Sequence, residues 1–278
     1  MTPMSGMRSV IDRPVKLLDT MGEQLAFYLR ALAWTPRTVR RYKKEVLRIL
    51  AEVTLGSGSL AVIGGTVGVI TAMCFFTGTE VGLQGYAALN QIGTAAFSGF
   101  VSAYFNTREI APLVAGIALA ATVGCGFTAQ LGAMRISEEI DALEVMAIPS
   151  LPFLVTTRII GGLIAVIPLY VVGLLSSYFA TRLTVTMFFG QSSGTYDHYF
   201  QQFLPPGDVL WSFGKVLVFA VTVILIHCYH GYNASGGPAG VGVAVGRAVR
   251  TSIVAINVVD LFLSMAIWGT TTTVRLAG

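Results

Sequence analysis

A run of charged residues between two long apolar segments constrains the fold more than any other stretch. Five of the chain's 32 charged residues fall within ten positions: Arg135, Glu138, Glu139, Asp141 and Glu144. A charged side chain is costly inside a hydrocarbon layer. The stretch therefore lies outside any membrane that the apolar segments on either side of it cross.

The same stretch predicts a short amphipathic helix over about residues 137–147. Ser137 suits the N-cap, the acidic residues after it suit the positive end of a helix dipole, and Pro149 ends the helix. At helical spacing, one apolar face is shared by Ile136, Ile140, Leu143 and Ala147. Such a helix can dock into a groove of a soluble protein. The alternative is an ordinary solvated loop helix.

Composition predicts an all-α integral membrane protein. Of the 278 residues, 54% are hydrophobic and only 12% are charged, whereas soluble domains carry about 25% charged residues. Ten of the 18 Lys and Arg precede residue 50, so the basic charge is concentrated in the N-terminal segment and does not indicate a nucleic-acid surface. Three cysteines in apolar stretches, Cys74, Cys125 and Cys228, indicate neither a disulfide framework nor a metal site.

Residues 1–52 combine cations with apolar residues that recur at helical spacing from Leu17 to Leu32. This pattern predicts a cytoplasmic basic segment with an interfacial helix along the headgroups. The alternative is a disordered basic tail. By the positive-inside rule the N-terminus is cytoplasmic, and after five crossings the C-terminus is external.

The remaining residues, 53–278, form the predicted transmembrane domain. Five apolar stretches are long enough for the roughly 30 Å hydrocarbon layer, which needs about 20 residues: 53–79, 110–133, 151–179, 209–232 and 251–274. Residues 87–107 are uncharged but carry many polar side chains, so they form either an external amphipathic stretch or a sixth crossing. Residues 184–208 contain no Lys or Arg, as expected of an external loop. The glycine-rich residues 234–246 lack the ending of a P-loop and predict an internal loop.

Ionisable residues inside the predicted crossings are candidates for function. Lys215 and Asp260 lie well inside the fourth and fifth crossings, so we predict that they form an intramembrane pair. For Lys215 the alternative is snorkelling to the membrane surface, which we also expect of Arg158. His227 and His230 lie one turn apart, but no carboxylate completes a ligand set and no metal is predicted.

No nucleophile and base, metal cluster or nucleotide motif stands at a spacing that indicates catalysis. We therefore predict that the chain is not an enzyme and holds no cofactor of its own. The pattern favours a transporter's membrane subunit driven by a separate motor. The absence of a visible internal repeat argues against an autonomous secondary carrier. A non-transporting anchor or assembly subunit is the other alternative.

Several motifs, over roughly residues 20–278, resemble those of the MlaE/YrbE family of ABC-transporter permeases. They are Gly82-Leu83-Gln84-Gly85-Tyr86, Arg108-Glu109-Ile110-Ala111-Pro112, Gln130-Leu131-Gly132-Ala133-Met134-Arg135, Glu139-Ile140-Asp141-Ala142-Leu143, Lys215-Val216-Leu217-Val218-Phe219, Gly231-Tyr232-Asn233-Ala234 and Asp260. Within this family the likeness is strongest to the YrbE permeases of actinobacterial Mce lipid-import systems.

The resemblance implies an MlaE-like fold with an N-terminal elbow helix, in the cell membrane. The helix at 137–147 would be the coupling helix to two cytoplasmic ABC ATPase subunits, which hold ATP and Mg²⁺. Its coupling residues would be Arg135, Glu138, Glu139, Asp141, Leu143 and Glu144. MCE-domain proteins would cover the outer face, and a lipid of the fatty acid, mycolic acid or sterol type would be imported through an outward-facing cavity. Tyr86, Arg108 and Glu109 match family positions near that cavity.

The chain departs from the family pattern at two places. Ala120-Ala121-Thr122 stands where an Ala-Gly-Arg run is common, and Gln130 stands where an acid is common. Without that arginine and acid, we expect a heterodimer in which the partner is an unlike YrbE permease.

Overall fold

The computed structural model describes residues 19, 21–55 and 65–269, and every regular element in them is helical. The helices are α1 (residues 21–33), α2 (Thr35–Arg41), α3 (Lys43–Leu55), α4 (Thr66–Gln91), α5 (Ala95–Ile136), α6 (Glu139–Val145), α7 (Leu151–Phe188), α8 (Ser193–Gln202), α9 (Pro206–Tyr232) and α10 (Gly237–Trp268). Five of these, α4, α5, α7, α9 and α10, are long and apolar enough to cross a membrane. The predicted all-α membrane fold is confirmed.

Residues 87–107 do not form a sixth crossing. α4 continues to Gln91, a turn with Gly93 at a φ of 74° follows, and α5 begins at Ala95. The polar residues of this stretch therefore belong to the end of one long helix and the start of the next. The first crossing, predicted over 53–79, is displaced as well, because α4 begins only at Thr66. Residues 56–64 lie outside the described part.

The prediction of a loop over residues 234–246 is wrong. α10 begins at Gly237, directly after Gly236 with a φ of 89°. Glycine disfavours a helix interior by about 1 kcal/mol per residue, so the sequence alone indicates a break. Packing outweighs this cost, because Val241 of α10 lies against Gly132 of α5, where a Cβ atom would come within 2.9 Å of its side chain.

The predicted external loop 184–208 also contains regular structure. α7 runs to Phe188, and α8 follows it. Both Nε and one terminal nitrogen of Arg182 donate to the carboxylate of Asp197 in α8, each at 2.8 Å. This pairing lowers the pKa of Asp197. α8 is thereby fixed on the end of the bundle opposite α6.

The N-terminal segment is more than one interfacial helix, because α3 lies along the first half of α7. Ile49 packs beside Gly161, where a Cβ atom would come within 2.9 Å of its side chain. The predicted domain boundary between residues 52 and 53 falls inside α3. The part of the amphipathic pattern before residue 19 lies outside the described residues, as do residues 270–278.

Close backbone contact joins α4 to α7. A Cβ atom on Gly78 would lie 2.8 Å from the Cα atom of Ser177. The Thr181 hydroxyl donates to the backbone oxygen of Gly78 at 2.7 Å and accepts a hydrogen bond from the Asn106 amide of α5 at 2.9 Å. Thr181 of α7 therefore connects α4 and α5, so that three crossings meet at this residue.

We predict that Gly78→Ala destabilises the protein, because the added methyl group overpacks the α4–α7 contact. Overpacking of this kind costs about 1–3 kcal/mol. Gly126→Ala is the matched control, since a Cβ atom there meets nothing within 4 Å. The measurement is the midpoint of thermal unfolding of both variants in detergent. Equal unfolding midpoints for Gly78→Ala and Gly126→Ala would show that α4 and α7 accommodate the methyl group without loss of stability, and would contradict the prediction.

Candidate functional site

α5 is not a regular α-helix throughout its length. Ser102–Ile110 and Ala120–Gly124 are π-helical, and such wider turns frequently mark functional sites. The first of them carries Arg108 and Glu109, two of the residues that the family resemblance places near a cavity. These adjacent residues reach different partners on α9 and α10.

Lys215 of α9 is fully buried and surrounded by polar groups. Its ammonium group donates hydrogen bonds to the backbone oxygen of Arg108 at 2.6 Å, to the Ser264 hydroxyl at 2.8 Å and to Oε2 of Glu109 at 3.2 Å. Oδ1 of Asp260 lies 2.7 Å from Nζ. Lys215 and Asp260 are thus in contact, as the sequence predicts, and Lys215 does not snorkel. Ser264 donates in turn to Oε1 of Glu109 at 2.8 Å.

Arg108 extends this arrangement toward the start of α9. Its guanidinium group pairs with Asp208 at 2.6 Å and lies over the rings of Tyr104 and Trp268, 4.1 and 5.2 Å from their centroids. Trp268 donates from Nε1 to Oδ1 of Asp208 at 3.0 Å. We call the whole set the polar cluster: Arg108, Glu109, Asp208, Lys215, Asp260, Ser264 and Trp268. It joins α5, α9 and α10 and holds two cations and three carboxylates.

The sequence pattern did not identify every member of the polar cluster. Asp208 falls in the predicted external loop, and Ser264 and Trp268 carry no charge that would single them out. Tyr86, the third residue matched to the family's cavity, stacks on Phe189, the residue directly after α7, with centroids 4.1 Å apart. The aromatic partner of Tyr86 therefore lies just beyond the end of α7 and outside the polar cluster.

α6 forms the second candidate site, and it is shorter than predicted. It covers Glu139–Val145, and Glu138 before it adopts a φ of 59°. Ser137 is therefore not the N-cap, and its hydroxyl donates instead to a carboxylate oxygen of Glu139 at 2.9 Å. Only part of the predicted apolar face is covered. Ile140 is fully buried and Leu143 packs against the core, whereas Ile136 and Ala147 are exposed.

Polar contacts fix α6 to the bundle. Arg135 donates to Asp141 at 2.8 Å. The Ser150 hydroxyl donates to Glu144 at 2.7 Å and lies 2.7 Å from the Tyr232 hydroxyl at the end of α9. Of the predicted coupling residues, Arg135, Asp141, Leu143 and Glu144 thus have partners within the chain.

The outward surface of α6 is defined by Glu138, Glu139, Val145 and Met146. Both glutamates are exposed, and the two apolar residues are 88% and 60% exposed. Val145 and Met146 lie off the apolar face that helical spacing indicates, so the pattern did not single them out. An uncovered patch of this kind, acidic and apolar together, is suited to a protein partner.

Arg158 is buried and does not snorkel as expected. It donates to the Leu154 backbone oxygen at 2.7 Å and to the side-chain oxygen of Gln130 at 3.2 Å. The amide nitrogen of Gln130 donates in turn to the carboxylate of Glu52 in α3. Glu52 therefore supplies a carboxylate beside the position where the family commonly has an acid. No feature of the local sequence around residue 52 indicates this long-range contact.

His227 has a structural position between three crossings. Its Nδ1 lies 2.8 Å from the Thr128 hydroxyl of α5, and its Nε2 lies 3.3 Å from the Ser252 hydroxyl of α10. Within residues 21–55 and 65–269, no group of three His, Cys, Asp or Glu side chains is arranged to hold a metal ion.

We predict that Lys215→Met is strongly destabilising, because it leaves Glu109 and Asp260 without a buried cation. Removing one partner of a buried ion pair costs about 3–5 kcal/mol. Asp260→Asn in the Lys215→Met background restores part of this loss, since it removes one uncompensated charge. The measurement is thermal unfolding of both variants in lipid nanodiscs. A Lys215→Met protein as stable as the wild type would contradict the assigned role of the ammonium group.

Comparison with known proteins finds several relatives of this chain. A probable ABC transporter permease of Rickettsia bellii is 28% identical over 256 residues, which cover 92% of this chain and 95% of that protein. The intermembrane phospholipid transport system permease MlaE of Haemophilus influenzae is 27% identical over 70% of this chain and 75% of its own length. The chloroplastic protein TRIGALACTOSYLDIACYLGLYCEROL 1 of Arabidopsis thaliana is 30% identical over 69% of this chain and 56% of its own length.

A family model is matched over most of the chain. The model described as Permease MlaE matches residues 57–266, which include α4 to α9, nearly all of α10, the polar cluster except Trp268, and the whole of α6. The chain therefore belongs to the MlaE permease family.

Proposed function

We propose that this chain is the membrane permease subunit of an ATP-driven lipid transporter and that α6 receives motion from a separate ATPase. The observation that carries the proposal is the two-sided character of α6. Ile140 and Glu144 fix it to the bundle, while Glu139, Val145 and Met146 face outward with no cover from the described residues. A helix that is attached to the bundle on one side and exposed on the other can transmit a displacement from a bound ATPase to the bundle.

The distribution of cations supports a cytoplasmic position for α6. Exposed basic residues of α2, α3 and α10 lie toward the same end of the bundle: Arg37, Arg40, Arg41, Lys43, Lys44, Arg247 and Arg250. Cytoplasmic segments carry an excess of Lys and Arg. In this orientation α8 and the end of α10 are external.

Two routes lead from α6 to the polar cluster. One is covalent, along the chain through α5, and the other runs through hydrogen bonds to α9. α5 ends at Ile136, three residues before α6 begins, and it carries Arg108 and Glu109 in its first π-helical stretch. α9 is tied to α6 through Ser150 and carries Lys215. A displacement of α6 thus acts on two helices whose far portions meet in one buried ionic arrangement. Discrete rearrangements of packed helices and ion pairs are how such motion is commonly transmitted.

The relatives and the family resemblance support the finer assignments. The relatives include proteins named as ABC transporter permeases and as a phospholipid transport permease. We propose a substrate of the fatty acid, mycolic acid or sterol type, import by a Mce-type system of the YrbE class, two ATPase subunits that hold ATP and Mg²⁺, and MCE-domain proteins on the outer face. Tyr86 and the partly exposed Arg108 and Glu109 are the proposed cavity residues.

α10 offers the surface for a second permease. It is the least buried of the five candidate crossings, and Val254, Leu261 and Phe262 on it are exposed. The exposed Asn257 among them adds a polar group that can bond across helices in a membrane. Since Glu52 supplies a carboxylate beside Gln130, the main departure that indicates an unlike partner is Thr122, which stands where the family commonly has an arginine.

We predict that Glu139→Lys together with Asp141→Lys abolishes transport and lowers ATPase stimulation by roughly tenfold or more. Charge reversal at a docking surface juxtaposes like charges, which costs several kcal/mol. Gln201→Lys together with Gln202→Lys on α8 is the control, since it adds two cations at the opposite end. The assay is ATP hydrolysis and lipid transfer by the reconstituted complex.

The same assay separates the alternatives. Unchanged stimulation and transport in the α6 variant would contradict the coupling assignment. Wild-type complex that never transports lipid but retains its partner proteins would indicate an anchor. Transport by the purified chain alone under an ion gradient, without ATPase or ATP, would indicate a secondary carrier.

We predict that two copies of this chain with different affinity tags do not co-purify from cells that also express the unlike permease. The chain instead co-purifies with that second permease in equal amount. The measurement is quantitative mass spectrometry of the tagged complex. Efficient co-purification of the two tagged copies would establish a homodimer and contradict the heterodimer.

A further inference from the structure

A cavity of about 510 Å³ lies between α1, α6, the start of α7 and the end of α9. Its lining includes Glu23 and Arg30 of α1, Glu144 of α6 and Tyr232 of α9. It is separated from the polar cluster by about half the length of α9, between Lys215 and Tyr229. Neither the coupling role of α6 nor an external lipid cavity accounts for it.

The position of the cavity is at the boundary of the membrane. α7 starts at Leu151 and α9 ends at Tyr232, and both of these residues line the cavity. α1 beside it exposes an apolar stripe of Met21, Leu25 and Leu29, spaced four residues apart. An amphipathic helix with such a stripe lies in the plane of the membrane with its apolar side toward the acyl chains. The cavity therefore opens at headgroup level.

The lining combines the groups that recognise a zwitterionic headgroup. Arg30 offers a guanidinium group, which binds phosphate in bidentate geometry. Within the described residues, no ion pair joins Arg30 or Glu23 to another charged side chain. Because they are seven residues apart, the two lie on the same side of α1, two helical turns from each other.

Four aromatic side chains also line the cavity. Phe27 contacts Tyr229 and Tyr232 with centroids 5.4 and 5.6 Å away, and Trp34 completes the lining on the side of α2. Ring faces attract ammonium and quaternary ammonium groups, as in choline recognition. The Glu144 carboxylate adds a negative charge beside these rings, because it also lines the cavity.

We propose that this cavity binds the headgroup of a zwitterionic phospholipid, with its phosphate on Arg30 and its ammonium group among the aromatic rings and carboxylates. The bound lipid contacts Glu144, which is hydrogen-bonded to Ser150 and through it to Tyr232. Lipid occupancy in this leaflet thus acts on the contact that holds α6 to α9. The proposal requires a membrane at α1 but does not depend on ATP coupling.

The test uses the purified full chain in nanodiscs that contain equal amounts of phosphatidylethanolamine, phosphatidylcholine and phosphatidylglycerol. Native mass spectrometry counts the lipids that each chain retains. We expect the wild type to retain zwitterionic lipid over phosphatidylglycerol. Arg30→Gln should lower this retention about tenfold, which corresponds to about 1.4 kcal/mol. Arg40→Gln, which removes an exposed cation of α2 outside the cavity, is the matched control and should retain lipid like the wild type.

Other outcomes would overturn the proposal. Equal retention of the three lipids, or a preference for phosphatidylglycerol, would exclude a zwitterionic site. Equal loss in Arg30→Gln and Arg40→Gln would show only a general effect of basic charge. Binding of water-soluble glycerophosphoethanolamine in the cavity, in the absence of any lipid, would assign the cavity to a soluble phosphate ester. Crosslinks from a photoreactive residue at position 23 to the ATPase instead of to lipid would assign it to the motor.

Discussion

A charged side chain inside a hydrocarbon layer must be compensated by other groups of the protein, and the buried ammonium group of Lys215 is where this constraint is met most fully. All three of its hydrogen-bond donors are used, and Asp260 adds a direct ionic contact. Because its partners come from α5 and α10, the compensation can form only when three crossings take their native places. Native packing of α5, α9 and α10 thus depends on the ionic and hydrogen-bonded contacts of the polar cluster.

The second group of charges obeys the same constraint in a different way. The residues of α6 cannot enter hydrocarbon, so the chain leaves the membrane between α5 and α7. The buried Ile140 and the hydrogen bonds of Glu144 and Ser150 then hold the helix against the bundle. Since α5 and α9 take part in both sites, an event at α6 has a direct mechanical connection to the polar cluster. The proposed coupling between a motor and a lipid path rests on this shared use of two helices.

The sequence predicts those features that hydropathy and charge control directly. The five crossings, the charged helix between the second and third, and the contact between Lys215 and Asp260 follow from the rarity of charge in apolar segments. Helix ends and loops were less predictable, because packing overrides local propensity. α10 begins within a glycine-rich stretch since Gly132 allows Val241 to approach closely. Glu52, Asp208 and Ser264 were missed because their partners are distant in sequence, and no local pattern records such contacts.

Coupling to a cytoplasmic ATPase requires that α6 face the cytoplasm, and labelling of a single cysteine tests this directly. Cys74, Cys125 and Cys228 are first replaced by Ala, and a cysteine is then placed at the exposed Ala142 of α6 or, as the comparison, at the exposed Ser193 of α8. In intact cells, a membrane-impermeant maleimide should label Ser193→Cys but should reach Ala142→Cys only after lysis. Labelling of Ala142→Cys in intact cells would place α6 outside and contradict the proposed coupling to a cytoplasmic motor.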